Sequence, residues 1–69
     1  MALAQTFGRN VRIVRLGRGW TQEQLAFEAG VKRAYISEIE GGKRNPSLDV
    51  VERIAGALGA SPGELLAAG

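Results

Sequence analysis

Apolar residues recur along this chain at helical spacing. Phe7, Val11 and Val14 lie three or four residues apart, which places them on one face of a helix over about residues 3–18. A second apolar stripe consists of Leu48, Val51, Ile54, Ala55 and Leu58. No stretch alternates apolar and polar residues for long enough to favour a strand. The pattern therefore predicts an all-α protein.

Capping signals divide the middle of the chain into two short helices. Thr21, with Gln24 three residues later, has the spacing of a capping box and begins a helix that runs to about residue 29. Gly30 can adopt the positive φ that a sharp turn requires. The next helix covers about residues 33–40 and ends at Gly41-Gly42.

The same signals predict two further helices. Ser47 is a suitable N-cap for the fourth helix, and Gly59 ends it. Ser61 and Glu64 have the spacing of another capping box, with Pro62 at the first helical position. We therefore expect five short helices packed into a single compact domain over residues 1–69.

The composition excludes several classes of function. Among its 69 residues the chain has no cysteine and no histidine, so it lacks the residues that most often form disulfides, metal sites and general bases. We expect no metal, no cofactor and no enzymatic activity. No apolar run approaches the roughly 20 residues that span a bilayer, and the N-terminus does not resemble a signal peptide. We expect a soluble, cytoplasmic protein without a membrane anchor.

The charges are unevenly distributed although the net charge is only +2. Residues 1–44 contain eight of the nine lysines and arginines but only four of the seven acids. This asymmetry suits a basic face that contacts a polyanion and a second face for another contact. Basic residues that merely solvate helix surfaces are the alternative.

Small and branched residues between positions 22 and 40 have the spacing of two helices that cross at a tight angle. Ala26 allows close approach, Gly30 forms the turn and Val31 fills the corner, while Ile36 and Ile39 face inward. These features are typical of a DNA-binding helix-turn-helix, here at about residues 22–40.

From Phe7 to Leu66 the chain resembles the Cro and repressor-like (XRE-type) family of bacterial and phage regulators. The matching motifs are Arg15, Gly19, Trp20-Thr21-Gln22, Leu25-Ala26, Gly30-Val31, Tyr35-Ile36-Ser37, Ile39-Glu40, Gly42-Lys43, Asn45-Pro46-Ser47-Leu48 and Ala57-Leu58-Gly59. The stretches from Arg33 to Ser37 and from Arg44 to Ser47 also resemble controller proteins of restriction-modification systems. The resemblance implies a lambda repressor-like fold that binds double-stranded DNA.

The third helix separates into an apolar and a polar side at 100° per residue. Candidate base-reading residues on the polar side are Arg33, Ala34, Ser37 and Glu38. Arginine can bind guanine O6 and N7, alanine can contact a thymine methyl, and a carboxylate can accept from a cytosine amino group. For Glu38, restraint of Arg33 or discrimination against wrong sequences is an equal alternative.

Phosphate contacts are expected to flank this helix, since they position a protein without reading sequence. The candidates are Gln22, Lys32, Tyr35, Lys43, Arg44 and Asn45. Gln22 opens the second helix, where backbone N–H groups favour an anion. The resemblance implies that the Tyr35 hydroxyl reaches a phosphate although its ring packs at the edge of the core. Simple solvation is the alternative for the basic loop.

The resemblance also implies two structural contacts. It pairs Arg15 of the first helix with Glu40 at the end of the third. It places a homodimer surface around the junction of the fourth and fifth helices and the last helix, near Ala60, Pro62, Glu64 and Leu66.

The leading interpretation is a transcriptional regulator that binds a pseudo-palindromic operator as a homodimer. The alternative is a helix-turn-helix interaction module such as an antitoxin. Ile13 and Phe27 bear on this choice, because each points away from the main apolar stripe of its helix. They are either tolerated surface residues or a contact patch for a further protein partner.

Overall fold

Five α-helices follow one another in the computed structural model, which describes residues 3–68. They are α1 (Leu3–Gly17), α2 (Gln22–Ala29), α3 (Arg33–Glu40), α4 (Leu48–Leu58) and α5 (Pro62–Leu66). The predicted all-α, five-helix architecture is confirmed, and α1 ends one residue earlier than expected. Within residues 3–68 no helix is both long and apolar enough to cross a membrane.

The two predicted capping boxes differ in the structure. At Ser61 both bonds form: the Ser61 N–H donates to Glu64 Oε1 at 2.8 Å, and the Glu64 N–H donates to Ser61 Oγ at 3.1 Å. At Thr21 the hydroxyl accepts from the Gln24 N–H at 3.0 Å, but the Gln24 side chain donates to Glu28 at 2.9 Å. The prediction of a reciprocal box at Thr21 is wrong, because Glu28 lies one turn further along the same face and offers a charged acceptor.

All five helices contribute to one hydrophobic core. Its largest fully buried side chains are Phe7, Val11, Leu25, Ile36, Ile39, Ile54 and Leu65. Leu48 departs from the predicted α4 stripe, since 81% of its surface is exposed. It is the first residue of α4 and lies at the end of the stripe, where it forms the rim of an apolar groove with Leu3, Pro46 and Leu66.

Two contacts connect α1 to distant parts of the chain. Gly8 is buried in the middle of α1, and a Cβ atom built there would lie 2.0 Å from the backbone oxygen of Ile39. Only a glycine therefore allows α1 to approach the end of α3 this closely. Two residues further on, Asn10 Nδ2 donates to the backbone oxygens of Leu65 and Ala67, both at 2.9 Å. These bonds fasten the end of α5 to α1.

We expect Gly8→Ala to lower the free energy of unfolding by about 1–3 kcal/mol, because the added methyl group forces α1 away from α3. Alanine is otherwise favoured over glycine within a helix by about 0.5–1 kcal/mol. Gly56→Ala in α4 is the matched control, since a Cβ there would meet no atom within 4 Å, and it should stabilise the protein. Urea denaturation compares the two variants. Equal stability of both would contradict the close-approach argument.

Candidate nucleic-acid interface

The turn between α2 and α3 depends on Gly30, which adopts a left-handed conformation with φ 71° and ψ 35°. The chain then reverses, and the Val31 N–H donates to the Ala26 backbone oxygen at 3.0 Å. Ala26 is buried where the two helices meet, and Val31 packs against the core. The two helices and their three-residue connection thus have the predicted helix-turn-helix arrangement.

The packing of α3 leaves one of its sides in solvent. Ile36 and Ile39 are completely buried and hold the helix against the core. The four candidate base-reading residues, Arg33, Ala34, Ser37 and Glu38, are all exposed. We refer to these four residues as the polar face of α3. A helix docked in this way can present its polar face to a groove of DNA without rearranging the core.

One candidate base reader and one candidate phosphate ligand bind each other. Arg44 Nε donates to Glu38 Oε1 at 2.6 Å, and this bond raises the pKa of the Arg44 guanidinium. The same guanidinium lies 4.7 Å from the centroid of the Tyr35 ring. Glu38 therefore restrains Arg44 in the structure. The alternative drawn from the sequence was that Glu38 restrains Arg33.

The loop after α3 places the basic residues beside the polar face. The Gly42 N–H donates to the Ile39 backbone oxygen and the Lys43 N–H to the Glu38 backbone oxygen, both at 3.0 Å. This pair of bonds is the Schellman arrangement, which turns the chain back at the end of a helix. Lys43 and Asn45 are exposed in this loop, and Lys32 is exposed before the other end of α3.

The predicted contact between Arg15 and Glu40 is present as a buried, bidentate ion pair. Arg15 Nε donates to Glu40 Oε2 at 2.7 Å and Nη2 to Oε1 at 2.9 Å. The side chains are only 8% and 4% exposed. Arg15 Nη1 also donates to the Trp20 backbone oxygen at 2.7 Å. The hydrogen bond to Glu40 raises the pKa of Arg15.

Gln22 joins this buried pair. Its Nε2 donates to Glu40 Oε1 at 3.2 Å, and the residue is half-buried. A primary amide has two N–H donors, so this bond uses one of them. Gln22 is therefore oriented by Glu40 and keeps a second donor for the phosphate contact that the sequence predicts.

The predicted dimer residues lie in α5 and just before it. Pro62 and Glu64 are exposed, while Ala60 and Leu66 are half-buried and pack against the core. Leu66 also lines the apolar groove that has Leu48 at its rim. Exposed apolar surface here is thus larger than the four predicted residues indicate.

Sequence analysis did not predict the structural roles of three residues. Gly8 carried a signal, because a glycine inside a helix lowers helix stability and suggests a close approach. Asn10 and Arg18 carried none, since their partners are backbone oxygens far along the chain. Arg18 Nη1 donates to the Leu58 backbone oxygen at 3.0 Å, and its guanidinium lies 4.7 Å from the ring centroid of Trp20.

We expect Arg15→Met and Glu40→Gln each to lower the free energy of unfolding by about 3–5 kcal/mol, because each leaves a buried charged or polar group without its partner. The double variant should be destabilised by much less than the sum. Arg53 and Asp49 form an exposed pair at 2.9 Å and serve as the control, with an expected coupling of about 0.3–0.5 kcal/mol. A double-mutant cycle measured by denaturant midpoints tests both pairs. A coupling below about 0.5 kcal/mol at Arg15 and Glu40 would contradict the interpretation.

Comparison with known proteins identifies the family of this scaffold. Residues 11–65 match the family described as helix-turn-helix. The control protein C.BamHI of Bacillus amyloliquefaciens is 52% identical over 61 residues, which cover 87% of this chain and 75% of that protein. The crystal structure of the restriction-modification controller protein C.AhdI from Aeromonas hydrophila has a TM-score of 0.88 at 40% identity, covering 94% of this chain and 98% of that chain.

A third similar structure contains nucleic acid. It is the controller protein C.Esp1396I as a tetramer in complex with its natural 35 base-pair operator, with a TM-score of 0.82 at 34% identity. The alignment covers 88% of this chain and 80% of that chain. With the sequence motifs, the five-helix fold and the exposed polar face of α3, these similarities show that the chain belongs to the XRE-type helix-turn-helix family of DNA-binding transcription regulators.

Proposed function

We propose that this chain regulates transcription by binding a pseudo-palindromic operator sequence-specifically as a homodimer. The exposed polar face of α3 is the observation that carries this proposal, because the helix-turn-helix holds it outward with cations at both ends. The operator complex of the similar controller protein supports it. Such a regulator acts on the chromosome, which implies a cytoplasmic location.

In this proposal the polar face of α3 enters the major groove. Arg33 lies in the first turn of α3 and is exposed, and among residues 3–68 no acidic group forms an ion pair with it. Its guanidinium is therefore available for a bidentate contact to guanine. Ala34 and Ser37 present a methyl group and a hydroxyl group to neighbouring bases, and Glu38 accepts from a base amino group.

Phosphate contacts surround this groove-binding helix. Gln22 is oriented by Glu40 at the start of α2, where the helix N-terminus attracts an anion. Lys43 and Asn45 extend from the loop after α3, and Lys32 precedes that helix. Tyr35 and Arg44 lie stacked at the edge of the polar face. Together these residues would fix the orientation of the protein on the duplex.

The dimer surface proposed here includes the predicted Ala60, Pro62, Glu64 and Leu66. The apolar groove extends it, since Leu66 lines the groove together with the exposed Leu48. Burial of exposed leucine side chains provides a favourable free energy of association. A dimer is also what selectivity requires, because one recognition helix reads only a few base pairs.

The narrower role that we propose is control of a restriction-modification system. The two most informative relatives, C.BamHI and C.AhdI, are a control protein and a restriction-modification controller protein. Selection of bound sites from random duplex DNA tests this role directly. The enriched sequence should occur before the chain's own gene and an adjoining restriction endonuclease gene, and its absence there would contradict the narrower role while leaving DNA binding intact.

We expect Arg33→Ala to weaken binding to the selected site by about 1–3 kcal/mol and to relax base preference at one position in each half-site. Lys43→Ala is the comparison. It should weaken binding to operator and random DNA alike and reduce the salt slope by about 0.9 for each phosphate that the variant no longer neutralises. Binding measurements across salt concentrations, with site selection repeated on both variants, test the assignment. Unchanged base preference in Arg33→Ala would show that the recognition face lies elsewhere.

We expect Leu48→Gln to weaken dimerisation without unfolding the protein, because this side chain is 81% exposed in the single chain. Phe27→Gln is the matched control, since Phe27 is 79% exposed but lies on α2, away from the proposed interface. Sedimentation equilibrium measures the dimer dissociation constant of each variant. Dissociation caused by Phe27→Gln instead of Leu48→Gln would refute the proposed interface and favour a contact patch at Phe27.

A further inference from the structure

The polar face of α3 contains one feature that a simple DNA-binding surface does not need, the carboxylate of Glu38. The other acid of this helix, Glu40, is buried in its pair with Arg15 and faces away from solvent. Glu38 is instead exposed on the proposed recognition surface, with Arg33 and Lys32 toward one end of α3 and Lys43 and Arg44 toward the other. A carboxylate in this position is repelled by the phosphates of DNA.

The surroundings of Arg44 show what this carboxylate does in the unbound protein. Glu38 binds the guanidinium from one side at 2.6 Å, and the ring of Tyr35 lies 4.7 Å from it on another side. Tyr35 and Glu38 are one helical turn apart, so both hold Arg44 along the edge of α3. The bond from the Lys43 N–H to the Glu38 backbone oxygen holds the loop in the position that this contact requires.

The pair is placed so that it can open. The side chains of Arg44 and Glu38 are 51% and 46% exposed, and exposed ion pairs contribute only modestly to stability because water competes for both partners. A ligand that offers one partner to each side chain can therefore separate them. Duplex DNA offers phosphates for Arg44 at every position, but a hydrogen-bond donor for Glu38 only where the major groove presents the amino group of cytosine or adenine.

We propose that Glu38 determines specificity by holding Arg44 away from the phosphates until a matching base releases it. This inference rests on the proposed function, because it requires α3 to lie in the major groove. On random DNA the pair stays closed and adds no phosphate contact. On the operator, Glu38 accepts from a base amino group and Arg44 binds a phosphate. Recognition of one base is thereby coupled to one additional backbone contact in each half-site.

The test compares the wild-type protein with E38Q, R44A and the double variant. Binding to the selected operator and to a random duplex is measured by fluorescence anisotropy over a range of salt concentrations. E38Q should bind random DNA more tightly by about two- to fivefold for each protomer, the size of one exposed ion pair. Its salt slope on random DNA should steepen by about 0.9 for each protomer, because Arg44 then reaches a phosphate. Its slope on the operator should not change.

In R44A the salt slope should change on the operator and not on random DNA. Its slope on the operator should become shallower by about 0.9 for each protomer, and its slope on random DNA should stay the same. Lys43→Ala is the matched control and should reduce the slope on both DNAs, since Lys43 is exposed and forms no ion pair within residues 3–68. Introducing E38Q into R44A should leave the slope on random DNA unchanged.

Two results would overturn the inference while leaving the proposed function intact. In the first, E38Q changes binding to random DNA equally with and without Arg44, which would mean that Glu38 acts through its own charge alone. In the second, R44A reduces the slopes on operator and random DNA equally, which would mean that Arg44 is never withheld. Failure of the wild-type protein to bind any selected duplex would overturn the proposed function itself. Circular dichroism of each variant confirms that the fold is retained.

Discussion

The buried ion pair of Arg15 and Glu40 is the interaction on which the geometry of the recognition helix depends. It joins α1 to the last residue of α3, and it also engages the Trp20 backbone and the Gln22 side chain. At the other end of α3 the turn at Gly30 sets the direction in which the helix starts. Ile36 and Ile39 fill the space between these two points. The helix is thus fixed at both ends and along its inner side, and the polar face can point only outward.

An ion pair suits this position better than another apolar contact. A domain of this size buries a limited apolar area, and the hydrophobic effect that drives apolar burial has no directional preference. Two parallel N–H···O bonds, in contrast, specify both the distance and the orientation of their partners. The close approach of Gly8 to Ile39 adds a steric limit beside the ion pair. Together they specify the separation and the orientation of α3 relative to α1.

The features that sequence analysis predicted are those set by local chemistry. N-caps at Thr21, Ser47 and Ser61 and the glycine at position 30 act on neighbouring residues, so the helix boundaries could be placed closely. The buried sides of α1 and α3 followed from helical spacing, and the partner of Arg15 followed from family resemblance.

Contacts between distant residues could not be predicted in this way. The bonds of Asn10 to the end of α5 and of Arg18 to Leu58 depend on how the helices pack. The pair of Glu38 and Arg44 depends on how the loop folds back at Gly42. The exposure of Leu48 depends on where the core ends, which helical spacing alone does not define.

The pairing of Glu38 with Arg44 has a consequence for how this protein can evolve. Residues of the polar face such as Ala34 and Ser37 contribute nothing to the core, so selection can alter them one at a time while the scaffold stays intact. Positions 38 and 44 are different, because each carries the charge that balances the other. Loss of the acid alone leaves a cation with no preference among DNA sequences. Under the coupling proposed for Glu38 and Arg44, divergence toward a new operator would alter these two positions together, although they lie on different segments of the chain.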